Sequence, residues 1–202
     1  MSKLQWYWSK LFLLLHGKSV RGSNIDKTAK VNYGCNIVNT QIGKYTYFGY
    51  DCWVIVTEIG AFCSISNNVR IGGPAHPVNW ISTSPVFHAG GNMLNKHFSE
   101  HKFEPMKKTY IGNDVWIGEN VLIKAGISIA NGAVIGMGSV VTHDVGPYEI
   151  WAGNPARKIR TRFDADKIEL LEKTQWWNMN DAEISGLAVD FNHPIKIWEK
   201  FK

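Results

Sequence analysis

"TYIGNDVWIGENVLIKAGISIANGAVIGMGSVVTHD", residues Thr109–Asp144, has an aliphatic residue at every sixth position. A helix repeats every 3.6 residues and a strand every two, so neither explains this period alone. Gly, Asn and Asp lie between the aliphatic positions, and these residues tolerate the positive φ of tight corners. Each unit therefore predicts a short strand and a corner, one side of a polygonal coil. The aliphatic positions are Ile111, Ile117, Ile123, Ile129, Ile135 and Val141.

The earlier half of the chain repeats the pattern in groups of three. Within a group the step is six residues and between groups it is five, so three sides make one coil of 17 residues. The sequence therefore predicts a mainly β fold, a triangular solenoid of stacked coils. A β-sandwich would instead show period-two alternation and irregular turn spacing. The stacked positions are Ile25, Ile42 and Ile59; Val31, Phe48 and Ile65; and Ile37, Val54 and Ile71.

The composition is that of an ordinary globular protein, with 45% hydrophobic and 19% charged residues among 202. The net charge is +5, and Lys and Arg are scattered, so we expect no nucleic-acid partner. The three cysteines, Cys35, Cys52 and Cys63, are odd in number and form no C-x-x-C pair, which argues against a disulfide framework or a zinc ribbon. We expect Cys35 and Cys52 to fill the interior one coil apart, in a protein of the reducing cytoplasm.

Residues 1–24 precede the repeat and contain a short apolar run, Leu11–Leu15. The run is too short to span a bilayer, and no small-residue cleavage site follows it. We predict a cap segment, a short helix that covers the open end of the core. The alternative is a peripheral contact with the inner face of the membrane, because Trp6–Trp8 are interfacial residue types near two lysines.

The loop 74–110 interrupts the repeat and contains four prolines and four histidines. A long irregular excursion inside a compact repeat is usually functional. His76 follows the last regular coil directly, and histidine can accept a proton near neutral pH. His97 and His101 are four residues apart, with His88 nearby, so a helix could aim two of them at a metal. No third ligand stands at a diagnostic spacing, and we expect solvated loop histidines instead.

The repeat and the segment Ala75-His76-Pro77 resemble those of the hexapeptide-repeat acyltransferases. That family forms a left-handed parallel β-helix and acts as trimers. The resemblance implies acetyl-CoA as co-substrate, no metal, and His76 as the general base of a direct transfer. A loop histidine bonded only to backbone is the alternative.

The ending Gly153–Arg157 resembles the place where this family receives coenzyme A. Pro155 offers a flat apolar face for adenine, and the cations after it suit phosphates, Arg binding them bidentately. A basic surface turn is the alternative. Those cations are Arg157, Lys158 and Arg160. Comparison with the family implies five further groove residues: Trp116, Glu119, Met137, Thr142 and His143. His143 stands for a common Lys, Met137 for a small residue, and Glu119 for a Ser, which puts a negative charge near an anionic cofactor.

The tail, residues 161–202, predicts an amphipathic helix with Asp164 as its N-cap. Trp176–Trp177 and the loop segment Trp80–Pro85 resemble the xenobiotic acetyltransferase subgroup, which acetylates chloramphenicol or streptogramins. A tail that only packs on the solenoid is the alternative. Residues 25–160 are then the β-helix acyltransferase domain.

For the acceptor we favour a hydroxyl of a sugar, in a surface polysaccharide or its lipid-linked precursor. Trp80 and Phe87 are the candidate substrate-binding residues, because aromatic rings suit sugar faces. An antibiotic hydroxyl and an amino-sugar nitrogen remain open as acceptors. Two rivals from other classes are a zinc lyase of the same fold and a non-catalytic β-solenoid scaffold.

Overall fold

The structure, a computed structural model, describes residues 3–200 and consists of short strands followed by a helical tail. Two 3₁₀ turns lie at Pro85–Phe87 and Trp176–Asn178. In chain order the other elements are α1 (Lys3–His16), β1 (Ser19–Arg21), β2 (Asn24–Ile25), β3 (Lys30–Val31), β4 (Asn36–Val38), β5 (Gln41–Ile42), β6 (Tyr47–Phe48), β7 (Trp53–Ile55), β8 (Thr57–Ile59), β9 (Ser64–Ile65), β10 (Arg70–Ile71), β11 (Thr109–Ile111), β12 (Trp116–Ile117), β13 (Leu122–Ile123), β14 (Ser128–Ile129), β15 (Val134–Ile135), β16 (Val140–Val141), β17 (Glu149–Gly153), β18 (Ala156–Thr161), α2 (Ala165–Thr174), α3 (Asp181–Ala188) and α4 (Pro194–Lys200).

The strands form three sheets, which are the three faces of a prism. Face 1 has the order β1-β4-β7-β10-β13-β16, face 2 the order β2-β5-β8-β11-β14, and face 3 the order β3-β6-β9-β12-β15-β17-β18. Neighbouring coils pair in parallel, and β18 then folds back antiparallel onto β17. From β1 to β16, successive strands lie on successive faces, so the triangular solenoid predicted from the six-residue period is confirmed.

The strand register contains the three predicted stacks of side chains. They are Ile37–Val54–Ile71 on face 1, Ile25–Ile42–Ile59 on face 2, and Val31–Phe48–Ile65 on face 3. Eight of these nine side chains are buried, and Ile25, in the first coil, is partly buried. Cys35 and Cys52 are each 1% exposed, as expected for interior residues. Each fully buried aliphatic side chain stabilises the fold by roughly 1.5–3 kcal/mol, so the axis is the main source of stability.

Many corners use the predicted residue types, Gly, Asn and Asp, but Tyr45, Val56, Phe62 and Tyr148 also have positive φ. Asp114 and Asn120 have φ values of 54° and 58°, in the left-handed region. At Gly132 the requirement is also steric, because a Cβ there would lie 2.3 Å from the ring of Tyr148. The corner at Gly132 therefore needs glycine both for its backbone conformation and for the close approach of this ring.

The described side chains of the amino-terminal helix α1 are exposed. Leu4, Phe12 and Leu15 of α1 are 67%, 67% and 73% exposed. The helix meets the solenoid through a contact of 2.7 Å between His16 Nε2 and Asp51 Oδ1. The cap predicted over residues 1–24 stays a prediction, because the side chains of Leu13 and Leu14 lie outside the described part of the chain. The solenoid itself begins at β1, before residue 25. Among residues 3–200, no helix has the length and apolar content that crossing a bilayer requires.

The carboxy-terminal tail packs on the corner between faces 2 and 3. Leu171, Trp176 and Trp177 are 7%, 9% and 4% exposed and form one cluster with Ala61 and Tyr148. Asp164 occupies the N-cap position of α2, but its carboxylate accepts from Lys167 Nζ at 2.9 Å rather than from the helix backbone. The tail thus covers one corner and leaves the other two corners and face 1 free of it.

Candidate functional site

The loop leaves face 1 after β10 and returns to face 2 at β11, so it projects from the corner between these faces, which we call the loop corner. Its base is closed by Ala75 N–H, which donates to the Pro105 carbonyl at 2.7 Å, and by an antiparallel bridge between Pro74 and Met106. The two ends of the excursion are therefore held together, and His76 stands just outside this closed base.

The imidazole of His76 is exposed and has a fixed orientation. Its Nδ1 lies 2.8 Å from the carbonyl oxygen of Thr83. Because a carbonyl can only accept, Nδ1 carries the proton in this contact, and the lone pair of the neutral ring is on Nε2. The ring is therefore held in the tautomer that a general base needs, with Nε2 turned away from its anchor.

A hollow of about 570 Å³ lies within the loop and contains both predicted substrate residues. Trp80 packs edge-on against His101 with ring centroids 5.8 Å apart, and Phe87 stacks on Phe98 at 5.7 Å. Ser82 also lines the hollow, and its neighbour Thr83 binds His76, so imidazole and hollow are adjacent. The lining residues are Asn79, Trp80, Ile81, Ser82, Phe87, Ser99 and His101. Aromatic walls with a few polar groups are typical of small-molecule sites.

Five lining residues were not predicted as site residues from the sequence: Asn79, Ile81, Ser82, Ser99 and His101. A signal for two of them exists in His97–Phe103. Ser99, His101 and Phe103 alternate with other residues there, which in an extended segment places all three on one side.

The other loop histidines hold the loop together. His97 Nδ1 donates to the His88 carbonyl at 3.0 Å, and its Nε2 lies 3.2 Å from the side-chain amide of Asn92. His88 is 5% exposed, so the expectation of a solvated residue is wrong there. It failed because the contacts that bury His88 come from parts of the loop without any repeat. Across residues 3–200, no three His, Cys, Asp or Glu residues lie close enough together to hold a metal ion.

The predicted cofactor residues of the repeat fall into separate groups. Thr142 and His143 lie at the loop corner two coils beyond Gly72, where the loop begins, and Thr142 Oγ1 is 2.9 Å from His143 Nδ1. Glu119 and Met137 stack at the corner between faces 3 and 1, where Gly138 N–H donates to the Glu119 carbonyl at 2.8 Å. Trp116 projects from face 3 and is 55% exposed.

The predicted phosphate-binding residues lie on the exposed hairpin β17–β18, which extends face 3 and contains a cis Asn154–Pro155 bond. Lys158 Nζ pairs with Glu149 Oε1 at 2.5 Å. Burial raises the pKa of Glu149, but hydrogen bonds from Lys158 and Trp151 outweigh it and hold that pKa below the usual range. The charge of Lys158 is thus already compensated. Arg157 and Arg160 bond only backbone carbonyls among the described residues, so their cations fit a phosphate better.

One chain does not gather all these residues on one surface. His76, Thr142 and His143 lie at one edge of face 1, whereas Glu119 and Met137 lie at its other edge. The structure therefore joins His76 to the hollow with Trp80 and Phe87, but it separates this acceptor side from the rest of the predicted cofactor groove.

Comparison with known proteins agrees with the coil geometry. The family model of the bacterial transferase hexapeptide (six repeats) matches residues 108–143. A probable macrolide acetyltransferase of Lysinibacillus sphaericus is 42% identical over 127 residues, which are 61% of this chain and 69% of that protein. The chain belongs to the hexapeptide-repeat acyltransferase family. A chloramphenicol acetyltransferase of Klebsiella aerogenes is 40% identical to this hexapeptide-repeat protein over 131 residues, 62% of this chain.

The chain spans only about six tenths of that chloramphenicol acetyltransferase, 61% of its length. A solved galactoside acetyltransferase in complex with coenzyme A is 27% identical, with a TM-score of 0.51, and the match covers 82% of this chain and 74% of that one. Its likeness extends the family's coil geometry over most of this hexapeptide-repeat chain.

Proposed function

We propose that this chain is an acetyl-CoA-dependent acetyltransferase that acetylates a hydroxyl of a sugar or of a surface polysaccharide precursor. The observation that carries the proposal is the contact of His76 Nδ1 with the Thr83 carbonyl, which leaves Nε2 free to take a proton. The adjacent hollow offers the rings of Trp80 and Phe87 to the apolar side of a sugar, and hydroxyl and amide groups to its polar side. Family membership supports the acetyl donor.

In the proposed reaction the acceptor oxygen attacks the thioester carbonyl carbon while Nε2 of His76 takes the hydroxyl proton. The carbon–sulfur bond breaks, and the imidazolium returns the proton to the departing sulfur, which gives free coenzyme A and an acetyl ester. Backbone N–H groups of a coil would stabilise the negative charge on the carbonyl oxygen. The transfer is direct, without an acyl-enzyme.

The proposed assembly is a homotrimer. Face 1 separates His76 from Glu119 and Met137 within one chain, so a complete site needs a second copy that turns its cofactor groove towards His76. Closed rotational symmetry is the common solution for soluble oligomers. The adenine of the donor would lie near Pro155, and Arg157 and Arg160 would meet its phosphates.

The test is the variant His76→Ala, with His193→Ala in the exposed tail as the matched control. General-base assistance contributes about 10²–10⁴-fold, so turnover measured as released thiol should fall by that factor. The melting temperature should stay near that of the unaltered protein, because His76 is exposed and makes one backbone contact. Full activity of the His76 variant would remove this residue from the mechanism.

A second candidate acceptor is the hydroxyl of an antibiotic, favoured by the 40% identity to a chloramphenicol acetyltransferase. A screen with acetyl-CoA should therefore compare simple sugars and oligosaccharides, an amino sugar, chloramphenicol and a macrolide, with released thiol as the readout. Turnover confined to chloramphenicol or the macrolide would overturn the sugar proposal. Binding of coenzyme A measured by calorimetry would exclude a non-catalytic scaffold. Stoichiometric zinc in the purified protein would favour the zinc lyase.

A further inference from the structure

The helix α1 presents an apolar face that nothing in residues 3–200 covers. Its large side chains follow the spacing i, i+4, i+7, i+8 and i+11, which places them on one side of a helix. Their exposures run from 43% to 73%. The residues are Leu4, Trp8, Leu11, Phe12 and Leu15. A contiguous exposed apolar face of this kind marks a contact surface.

The charge of the chain is concentrated around the same helix. The chain has 22 Lys and Arg residues and 17 acidic residues. Residues 1–30 contain six of the Lys and Arg residues but only one acidic residue. Residues 31–202 hold sixteen of each, so the whole net charge of +5 lies in the first thirty residues. The cations are scattered, as the sequence suggested, but the imbalance between cations and acids is local.

The six cations are available for an anionic partner. None lies within 4.0 Å of a carboxylate among the described residues, whereas seven Lys and Arg side chains beyond residue 30 do. The acid of this region, Asp26, accepts instead from the backbone and hydroxyl of Thr28 at 2.8 and 2.7 Å. The cations are Lys3, Lys10, Lys18, Arg21, Lys27 and Lys30.

We propose that α1 docks this protein on an anionic lipid surface. The apolar face would enter the boundary between headgroups and acyl chains, and the cations of α1 and the first coil would meet the headgroups. Trp8 on the apolar face and Tyr7 at its edge supply the amphipathic rings that favour this boundary. A second copy fits less well, because two α1 faces in contact would bring two regions of charge +5 together.

The experiment is sedimentation of the full chain with vesicles of phosphatidylcholine alone and with one quarter phosphatidylglycerol. The protein should pellet with the anionic vesicles and release in 0.5 M salt, because salt screens the lysines. The double variant Phe12→Ser/Leu15→Ser should lower the vesicle partition coefficient by a factor on the order of ten or more. Lys3→Gln/Lys10→Gln should lower it by a factor of about thirty on anionic vesicles.

The matched control is Val189→Ser, at the end of α3 and far from α1 in the sequence. It removes an apolar side chain that is 72% exposed. It should pellet like the unaltered protein. Docking is overturned if the unaltered protein stays in the supernatant with anionic vesicles, or if Phe12→Ser/Leu15→Ser pellets equally. If the unaltered protein does not bind vesicles and Phe12→Ser/Leu15→Ser has a lower mass by light scattering, a second copy of the chain covers the apolar face of α1 instead. Thiol release with a soluble acceptor should be unchanged in the α1 variants, so loss of docking and loss of catalysis are separate results.

Discussion

Arg162 joins the solenoid to the tail, and its removal gives the most sharply defined stability prediction. Its guanidinium donates to Asp114 Oδ2 at 3.0 Å and to the Gly132 carbonyl at 2.7 Å. It also lies over the rings of Tyr148 and Phe163, 5.3 and 5.4 Å from their centroids. One side chain thus connects two corner residues of neighbouring coils with the start of the tail.

The expected cost of Arg162→Ala follows from these contacts. Breaking a fully buried ion pair costs about 3–5 kcal/mol. Here the two side chains are 29% and 32% exposed, so solvent screens part of that penalty. Adding one lost hydrogen bond, worth about 1 kcal/mol, we expect a total near 2–3 kcal/mol. For a chain of this size that lowers the melting temperature by about 4–12 °C.

The pH dependence identifies Asp114 as the cause. Burial already raises the pKa of Asp114, and the Arg162 cation opposes this rise. Without Arg162 the folded-state pKa rises further above the unfolded one. A carboxyl of that kind favours the folded state most at low pH, and this stability is lost as pH rises from the unfolded to the folded pKa. The deficit of Arg162→Ala should therefore be smaller at pH 4 than at pH 7.

The assay is denaturant unfolding of Arg162→Ala and of Arg162→Ala/Asp114→Asn at both pH values. The second variant removes the uncompensated charge, so it should regain about 1 kcal/mol or more at pH 7 and lose the extra pH dependence. A single variant that unfolds like the parent at pH 7, or a double variant that regains nothing, would refute the reasoning.

Three further predictions concern the core and the two halves of the site. Phe48→Ala should lower the free energy of unfolding by about 3–5 kcal/mol, whereas Tyr47→Ala, 49% exposed on the same strand, should cost under about 1 kcal/mol in denaturant unfolding. Trp80→Ala should raise KM for the acceptor about tenfold and leave KM for acetyl-CoA unchanged, since it removes a wall of the hollow. In steady-state kinetics, Arg157→Ala should raise KM for acetyl-CoA about tenfold and leave KM for the acceptor unchanged. An unchanged KM for acetyl-CoA would exclude a phosphate contact of Arg157.

The fold could be predicted because its core contacts are encoded in one repeated distance. Ile42 meets Ile25 and Ile59 solely because 17 residues separate neighbouring coils. A constant count, 17 before the loop and 18 after it, applies on all three faces, so each correct position supports the others. A sandwich offers no such agreement, since its strand pairing depends on connections of unrelated length.

The loop and α1 could not be predicted in the same way. His88 is buried, and its carbonyl accepts a hydrogen bond from His97. No repeat in the loop sequence predicts contacts of this kind. The spacing of His97 and His101 would bring their side chains together only on a helix, and the loop forms no helix there. Trp80 and Phe87 were predicted by residue type, and the structure brings them into one hollow. For α1, the hydrophobicity of the sequence indicated that the helix contacts another surface. The excess of cations in residues 1–30 was needed to propose that this surface is anionic.

The repeat also bears on the proposed assembly, through the number of residues in each coil and the hydrogen bonds between coils. Glu119 and Met137 are 18 residues apart, one full coil in this part of the chain, so they share a corner. Gly72, where the loop begins, is bonded to the coil of Ile123, and the next coil at that corner ends in Thr142. His76 and Glu119 therefore belong to different corners whatever conformation the loop adopts. If both serve one site, a second chain must supply one of them.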